Sequence, residues 1–367
     1  MAEAMISLRE VSKRFPRSQT FAVQDLSLDV EAGEVLALAG PHGAGRSTVL
    51  KLINRLVEPT SGTVEIAGRS IVEEDPIRLR RRIGYVIRRV GLLPHRSVAA
   101  NIGTVPELLG WDGRQIRLRV LELADVLGLD REGLARYPSE LAPDERVRVG
   151  IARALAADPP VVLMDEPFAD VASPMQTILQ DQFLDLQSQL GKAVVYATGG
   201  IDDAIRMGSR IAILNRGVLE RVGTANEILR NPGSEFVDSF IGPERGLKRL
   251  ALITVEEVGI EDAPAVAPSA RIADARTRMR ASSQEWISVV AEGRLLGWID
   301  EASIDGARVV ADIEARPFRA HITPRDTLRE ALESLVSSRT QVAAVVDEEG
   351  RYLGVLSLDR IAEEIVT

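Results

Sequence analysis

The run Gly40-Pro41-His42-Gly43-Ala44-Gly45-Arg46-Ser47-Thr48 spaces its glycines and hydroxyl as a phosphate-cradling loop does, G-x-x-x-x-G-K-[ST], with Arg46 at the lysine position. Glycines there let backbone N–H groups close around phosphate oxygens, and the helix that follows points its positive end at them. The hydroxyl of Ser47 would ligate Mg²⁺. About 120 residues on, Val161-Val162-Leu163-Met164 runs into Asp165-Glu166-Pro167. Four apolar residues ending in two carboxylates place Asp165 and Glu166 at the C-terminal edge of a strand, where open α/β sheets bind ligands. Asp165 could hold Mg²⁺, directly or through water, and Glu166 could polarise an attacking water as general base. Either element alone is common in unrelated turns and strand ends. Their pairing is not.

Such groups need a sheet to position them. Glu34–Ala39 is an apolar run of buried-strand length that leads into the loop, and Val49, Leu50, Leu52, Ile53 and Leu56 give the next segment a helical apolar side. Further strands are predicted at Ile83–Ile87, Val161–Met164, Ala193–Ala197 and Arg210–Leu214, with a turn at Asn215-Arg216-Gly217 into a hairpin strand at Val218–Val222. Helices are predicted around Gln115–Leu127, Glu145–Ala157 and Pro174–Leu190. This alternation over the first 245 residues is the α/β signature. Ile241–Gly246 reads as a linker. Beyond it, Gly293-Arg294-Leu295-Leu296-Gly297 recurs as Gly350-Arg351-Tyr352-Leu353-Gly354, an offset of 57 residues that marks a two-fold pseudo-symmetric module.

Composition narrows the class. The 367 residues contain no cysteine, which excludes a disulfide framework and thiol catalysis, and His42, His95 and His321 stand singly. The net charge is −9, against a nucleic-acid binder, and it is uneven: residues 251–367 hold 13 basic and 21 acidic residues, so the earlier part is near neutral. No segment approaches the roughly 20 apolar residues of a membrane span. Met1–Glu10 lacks a basic and then apolar leader, so a cytoplasmic location is expected.

Longer runs carry a resemblance: Ser12-Lys13-Arg14-Phe15-Pro16, Leu50–Leu56, Pro59-Thr60-Ser61-Gly62-Thr63, Ile83–Ile87, Tyr137-Pro138-Ser139-Glu140-Leu141 and Val149–Ala156. With the phosphate loop and the acidic strand, the chain resembles the ATP-binding subunits of ABC importers, in particular those of osmoprotectant (glycine betaine, carnitine, choline) uptake with a C-terminal CBS pair. The resemblance implies an α/β P-loop NTPase nucleotide-binding domain over 1–245 and an α+β tandem CBS (Bateman) module with copies at 251–308 and 314–367. It implies ATP and Mg²⁺ as ligands, and Phe15 as the aromatic that stacks on adenine. Two such subunits pair head to tail, as a homodimer or with a paralogue. They dock on membrane permease subunits through the stretch Gly91-Leu92-Leu93-Pro94-His95, at the inner face of the cell membrane, and serve an extracytoplasmic substrate-binding protein.

The chemical positions depart from that family's pattern. Where L-S-G-G-Q would contact the partner's nucleotide, this chain has Leu141-Ala142-Pro143-Asp144-Glu145. The serine hydroxyl is gone, Pro143 removes a backbone donor, and Asp144 and Glu145 are expected to face a polyphosphate. Like charges about 5 Å apart repel by roughly 3 kcal/mol at an effective dielectric near 20. Arg46 replaces a compact ammonium with a planar fork. Arg88 stands at the Q-loop glutamine, Ala172 at the D-loop aspartate and Gly199 at the switch histidine. The changes cluster at chemical positions within an intact scaffold, so the expectation is preserved folding, weakened nucleotide binding, and hydrolysis lost or strongly impaired. The alternatives are an active importer ATPase and a non-hydrolytic sensor acting through its CBS pair. In that pair the family binds adenine or cyclic dinucleotides, and Asp300, Ser357 and Asp359 are the matching positions here. Packing or ionic-strength sensing are the other roles open to the module.

Overall fold

Burial separates two kinds of strand in the first half of the chain. Ile6–Lys13 (β1) and Val23–Val30 (β2) bury only some of their positions, whereas Val35–Ala39 (β3) is buried throughout. One-sided burial suits an antiparallel sheet with a solvated face, and full burial suits a parallel sheet covered on both faces. The computed structural model describes residues 4–282, 284–304, 306–338 and 341–366, and it contains both sheets. With Ser61–Ile66 (β4) and Arg69–Ser70 (β5), the first is antiparallel in the order β2-β1-β4-β5. The second uses Ile83–Val86 (β6), Val161–Asp165 (β7), Ala193–Thr198 (β8), Arg210–Asn215 (β9) and Val218–Gly223 (β10), in the order β10-β9-β3-β8-β7-β6. It is parallel apart from the terminal β9–β10 hairpin.

Arg46–Ile53 (α1) follows β3 through the glycine loop. It buries Val49, Leu50, Leu52 and Ile53 in a core that also holds Ile6, Leu8 and Leu26 of the antiparallel sheet and Leu36, Leu163 and Val195 of the parallel one. The predicted helices run over Gly113–Val126 (α2), Pro143–Leu155 (α3) and Ser173–Leu190 (α4), and Ile201–Met207 (α5) follows β8. Ala39 pairs with Thr198 and Asp165 with Ala197, so β3, β8 and β7 end level at one edge.

The chain divides into two units, Met1–Ile241 and Gly242–Thr367. The stretch Ile241–Gly246 is only partly a linker. Arg245–Leu250 (α6) is helical, and its buried Arg249 pairs with Glu364 at 2.9 Å. In this second unit Ala265–Val266 (β11), Trp286–Ala291 (β12) and Arg294–Asp300 (β13) form one sheet, packed on Ile272–Ala281 (α7). His321–Ile322 (β14), Val342–Val346 (β15) and Tyr352–Ser357 (β16) form another, packed on Leu328–Ser338 (α8) and Leu358–Val366 (α9). The cores do not respect boundaries at 251–308 and 314–367. Leu250, Ile253 and Val255 pack with the second sheet, while Val310, Ile313 and Ala315 pack with the first.

That exchange brings backbones together at the repeated glycines. A Cβ on Gly297 (φ 152) would lie 2.5 Å from the carbonyl oxygen of Arg316, and one on Gly354 (φ 149) 2.5 Å from that of Glu261. Gly354→Ala is therefore expected to destabilise the second unit by about 2–4 kcal/mol in urea unfolding, from backbone strain plus overlap. Gly350→Ala is the control: its φ is also positive, but nothing lies within 4 Å, so about 1 kcal/mol is expected. Equal losses would show that the crossing segment yields freely.

Candidate functional site

Two glycines set the phosphate loop against its surroundings. Gly40 has φ 151 and a Cβ there would meet the Leu214 carbonyl oxygen at 2.3 Å; Gly45 has φ 105 and would meet that of Ala22 at 2.4 Å. Only glycine allows both the conformation and the approach. Gly45 caps α1 without a side chain, which leaves the first helical N–H groups facing the loop. The level strand ends then deliver His42–Thr48, Arg88, Asp165 and Glu166 into one cavity of about 250 Å³. Gly40 and Pro41 form the base of the loop outside that lining. Phe15 stands outside it too, 38% exposed, with the Lys13 ammonium 5.3 Å from its ring centre.

Within the cavity both oxygens of Glu166 are taken. Arg46 Nη2 lies 2.9 Å from Oε1 and Arg88 Nε 3.2 Å from Oε2. Arg88 is 58% exposed and contributes little by itself. Arg46 is buried, so its pair with Glu166 could not be broken without stranding a charge. Its Nη1 is buried with no partner. Ser47 donates to Asp165 at 3.0 Å, while burial pushes the Asp165 carboxyl up against that bond. Gly199 stands beside the ion pair: a Cβ there would be 3.5 Å from Glu166 Oε1 and 3.6 Å from Arg46. A general base needs a free lone pair within reach of the water it activates. Here each oxygen already meets one guanidinium, so a water would have to share that oxygen through its remaining lone pair.

The turn at Thr198–Gly200 has a support that the sequence reading missed. Asp203 on α5 accepts from Thr198 at 3.3 Å, from Gln176 at 2.9 Å and from Gln180 at 3.1 Å. An acidic residue in the first turn of a helix after a strand is the signal that could have found it.

The segment Ala142–Glu145 requires a correction. Glu145 does not face outward with Asp144. It folds back as the N3 residue of α3, accepting from Ala142 N at 2.7 Å and from both terminal nitrogens of Arg136 at 3.0 and 3.3 Å. The Ala142 N–H, with Arg136 beside it, holds its carboxyl below the usual glutamate range. Pro143 occupies the first helical position, so this helix start carries its own anion. Asp144 remains half-buried beside it. Ala172 caps α4 without a side-chain bond. A second cavity of about 510 Å³ lies between Arg88–Leu92, Pro94, Pro143, Arg146 and Asp170, and Arg153 braces its wall by donating to the Val90 and Gly91 carbonyls.

In the second unit two of the three matching positions, Asp300 and Ser357, are engaged internally. Asp300 pairs with Arg316 at 2.6 Å and accepts from Ser303 N. Ser357 donates its N–H to Glu261 at 2.6 Å and its hydroxyl at 3.2 Å. Asp359 is exposed. Glu261 lies 96 residues from Ser357, and no local pattern announces it.

Residues 23–169 match the family described as ABC transporter, and residues 310–367 the CBS domain. The chain is 40% identical over 366 residues to the osmoprotectant import ATP-binding protein OsmV of Salmonella typhimurium, covering 98% of this chain and 96% of that protein. It is 38% identical over 358 residues to the glycine betaine/carnitine/choline transport ATP-binding protein OpuCA of Bacillus subtilis, covering 96% and 94%. Among solved structures, the dimeric ATP-binding cassette MJ0796 bound to ADP and Pi is similar at 30% identity and a TM-score of 0.55, over 60% of this chain and 98% of that one. Among the described residues no helix is long and apolar enough to cross a membrane.

Glu145→Ala is expected to lower stability by about 1 kcal/mol at neutral pH in urea unfolding, the usual worth of a helix cap. The folded carboxyl lies below its ordinary range, so the contribution is complete above about pH 4.3 and fades as pH falls through the folded value. A stability gap that persisted at pH 2 would show that the charge is not the agent.

Proposed function

Within the ABC-transporter ATP-binding subunits that carry a C-terminal CBS module, the family to which this chain belongs, we propose that it serves an importer of quaternary-amine osmoprotectants as a subunit that binds nucleotide without hydrolysing it. Family membership implies ATP binding, with Mg²⁺ typical. The substrate class follows the names of its relatives, which import osmoprotectants and transport glycine betaine, carnitine and choline. The observation that carries the loss of hydrolysis is the engagement of both Glu166 oxygens by Arg46 and Arg88, beside a glycine where an imidazole would bridge base, water and phosphate.

The other half of the composite site supports the same reading. The MJ0796 cassette is dimeric, and in the head-to-tail pairing that the family resemblance implies a γ-phosphate would meet the start of α3. Glu145 already uses the Ala142 N–H there, and Pro143 has none to offer. The mechanism of exclusion is thus internal occupancy, with Asp144 adding repulsion. Pairing with a competent paralogue leaves one composite site with Arg46 and Gly199 and the other with Pro143 and Glu145, so neither is complete.

The chain's contribution to transport is then conformational. Nucleotide in the loop orders that subunit's own loop and the Arg88 segment beside it, and the stretch Gly91–His95 carries that order to a permease at the inner face of the membrane, upstream of which an extracytoplasmic binding protein delivers the osmolyte. The CBS pair packs the assembly. The bonds of Asp300 to Arg316 and of Ser357 to Glu261 favour that role over an adenosine or cyclic-dinucleotide site.

Binding and turnover separate the readings. Calorimetry with the purified chain is expected to register ATP, while phosphate release at saturating ATP stays below about 0.01 s⁻¹, far under the roughly 1–10³ s⁻¹ of ordinary enzymes. Release at about 1 s⁻¹ or faster would defeat the proposal and leave an active importer ATPase.

A further inference from the structure

A short step joins the phosphate-loop edge to the stretch proposed to dock on a permease. Arg88 is held to Glu166 at 3.2 Å, and Gly91–His95 begins three residues later. Between them Val90 adopts φ 47, followed by Gly91 at φ 54. Glycine enters the left-handed region freely, but a β-branched side chain is strained there. Among the described residues Val90 is the one β-branched residue with positive φ. Such strain persists only where the surroundings over-determine it.

The surroundings that do so are on α3. The Val90 side chain is buried over Gly150, where a Cβ would lie 2.2 Å from its Cγ1, so the missing side chain makes the seat. Arg153 stands three residues further along α3, on the same face. It donates from Nη2 to the Val90 carbonyl at 2.5 Å and from Nη1 to the Gly91 carbonyl at 2.8 Å. Burial pulls its guanidinium below the ordinary arginine range, and the two carbonyls offset that cost. The far end of the step is fixed independently. Asn101, fully buried, accepts from Leu93 N at 2.8 Å and donates to the Leu93 carbonyl at 3.1 Å. The strained step thus has both ends pinned, and the Arg153 fork grips its middle.

We infer that Arg153 is a positioning residue, which holds Val90 in its strained turn and so sets where Gly91–His95 stands relative to the phosphate-loop edge. The inference rests on the reading above for what that stretch docks on, and adds the side chain that aims it. Two adjacent carbonyls suit a planar fork better than a compact ammonium. Without the fork Val90 relaxes toward negative φ, and the carbonyls of Val90 and Gly91 turn away from α3.

Residue-resolved hydrogen exchange of the full chain tests it. The Val90 and Gly91 amides bond to the carbonyls of Ile87 and Arg89 within the turn, so their protection reports whether the turn persists. Arg153→Met is expected to speed both amides by about tenfold or more, and Arg153→Lys by about threefold or more. The Leu163 amide in β7 and the Leu93 amide on Asn101 are expected to stay within about twofold. ATP affinity by calorimetry is expected to stay within about threefold. If Arg153→Met does not fold, Arg153→Lys, which keeps the charge and an alkyl stem, carries the test. Wild-type exchange at Val90 and Gly91 in a folded variant overturns the inference. So does equal acceleration at Leu163, which would make Arg153 a general support of the fold. A loss of ATP affinity by about tenfold also overturns it, by placing Arg153 in the nucleotide site. Exchange is read without nucleotide, so a wild-type chain that fails to bind ATP defeats the nucleotide-binding reading above and not this inference.

Discussion

Ala39 stands opposite Thr198 and Ala197 opposite Asp165, in strands buried on both faces. The phosphate loop, the acid pair and the Thr198–Gly200 turn all leave the sheet from that level edge, and they meet without any side chain having to reach. A slip of one residue in β7 would draw Asp165 into the sheet interior, where an unpaired carboxylate is strongly disfavoured. The apolar run Val161–Met164 therefore fixes the chemistry as much as the carboxylates do. It sets how far they project.

With the edge fixed, what distinguishes this chain is how it satisfies its own anion-binding groups. Glu166 engages Arg46 and Arg88, Glu145 engages the start of α3, and Glu261 engages the N–H of Ser357 ahead of α9. The device at Glu145 is the one the chain uses at ordinary helix starts: Thr224 with Glu227, Thr254 with Glu257 and Thr327 with Glu330 pair in the same way. The start of α3 is thus closed by a common cap. Helix propagation there needs no ligand, and the helix gains nothing from one.

Much of this was legible in the sequence because it is local. The loop spacing, the apolar strand before Asp165 and the 57-residue repeat are contiguous patterns, and the elements they predicted are present with ends moved by a residue or two, as helix and strand ends commonly are. The antiparallel sheet was not read. Its strands are interrupted by register shifts after Leu8 and Val11, and Glu10 and Asp25 adopt φ 48 and 46, which breaks the alternation that reveals a strand. The clamp on Glu166 was invisible for another reason. Arg46 and Arg88 are 120 and 78 residues away, and only the fold decides which carboxylate a long side chain finds. Glu145 lay between these cases: an acid three residues after a cap position is a readable signal, overshadowed by the family's pattern at the same place.

The exchange of packing segments in the second unit bears on how the two repeats can have diverged. Leu250, Ile253 and Val255 complete the core of the repeat that comes later in the chain, and Val310, Ile313 and Ala315 that of the earlier one. Neither repeat can be removed without opening the other's core. The pair is bound to persist as a pair while its surface positions remain free to change, which is consistent with one copy offering aspartate at 300 where the other keeps serine at 357.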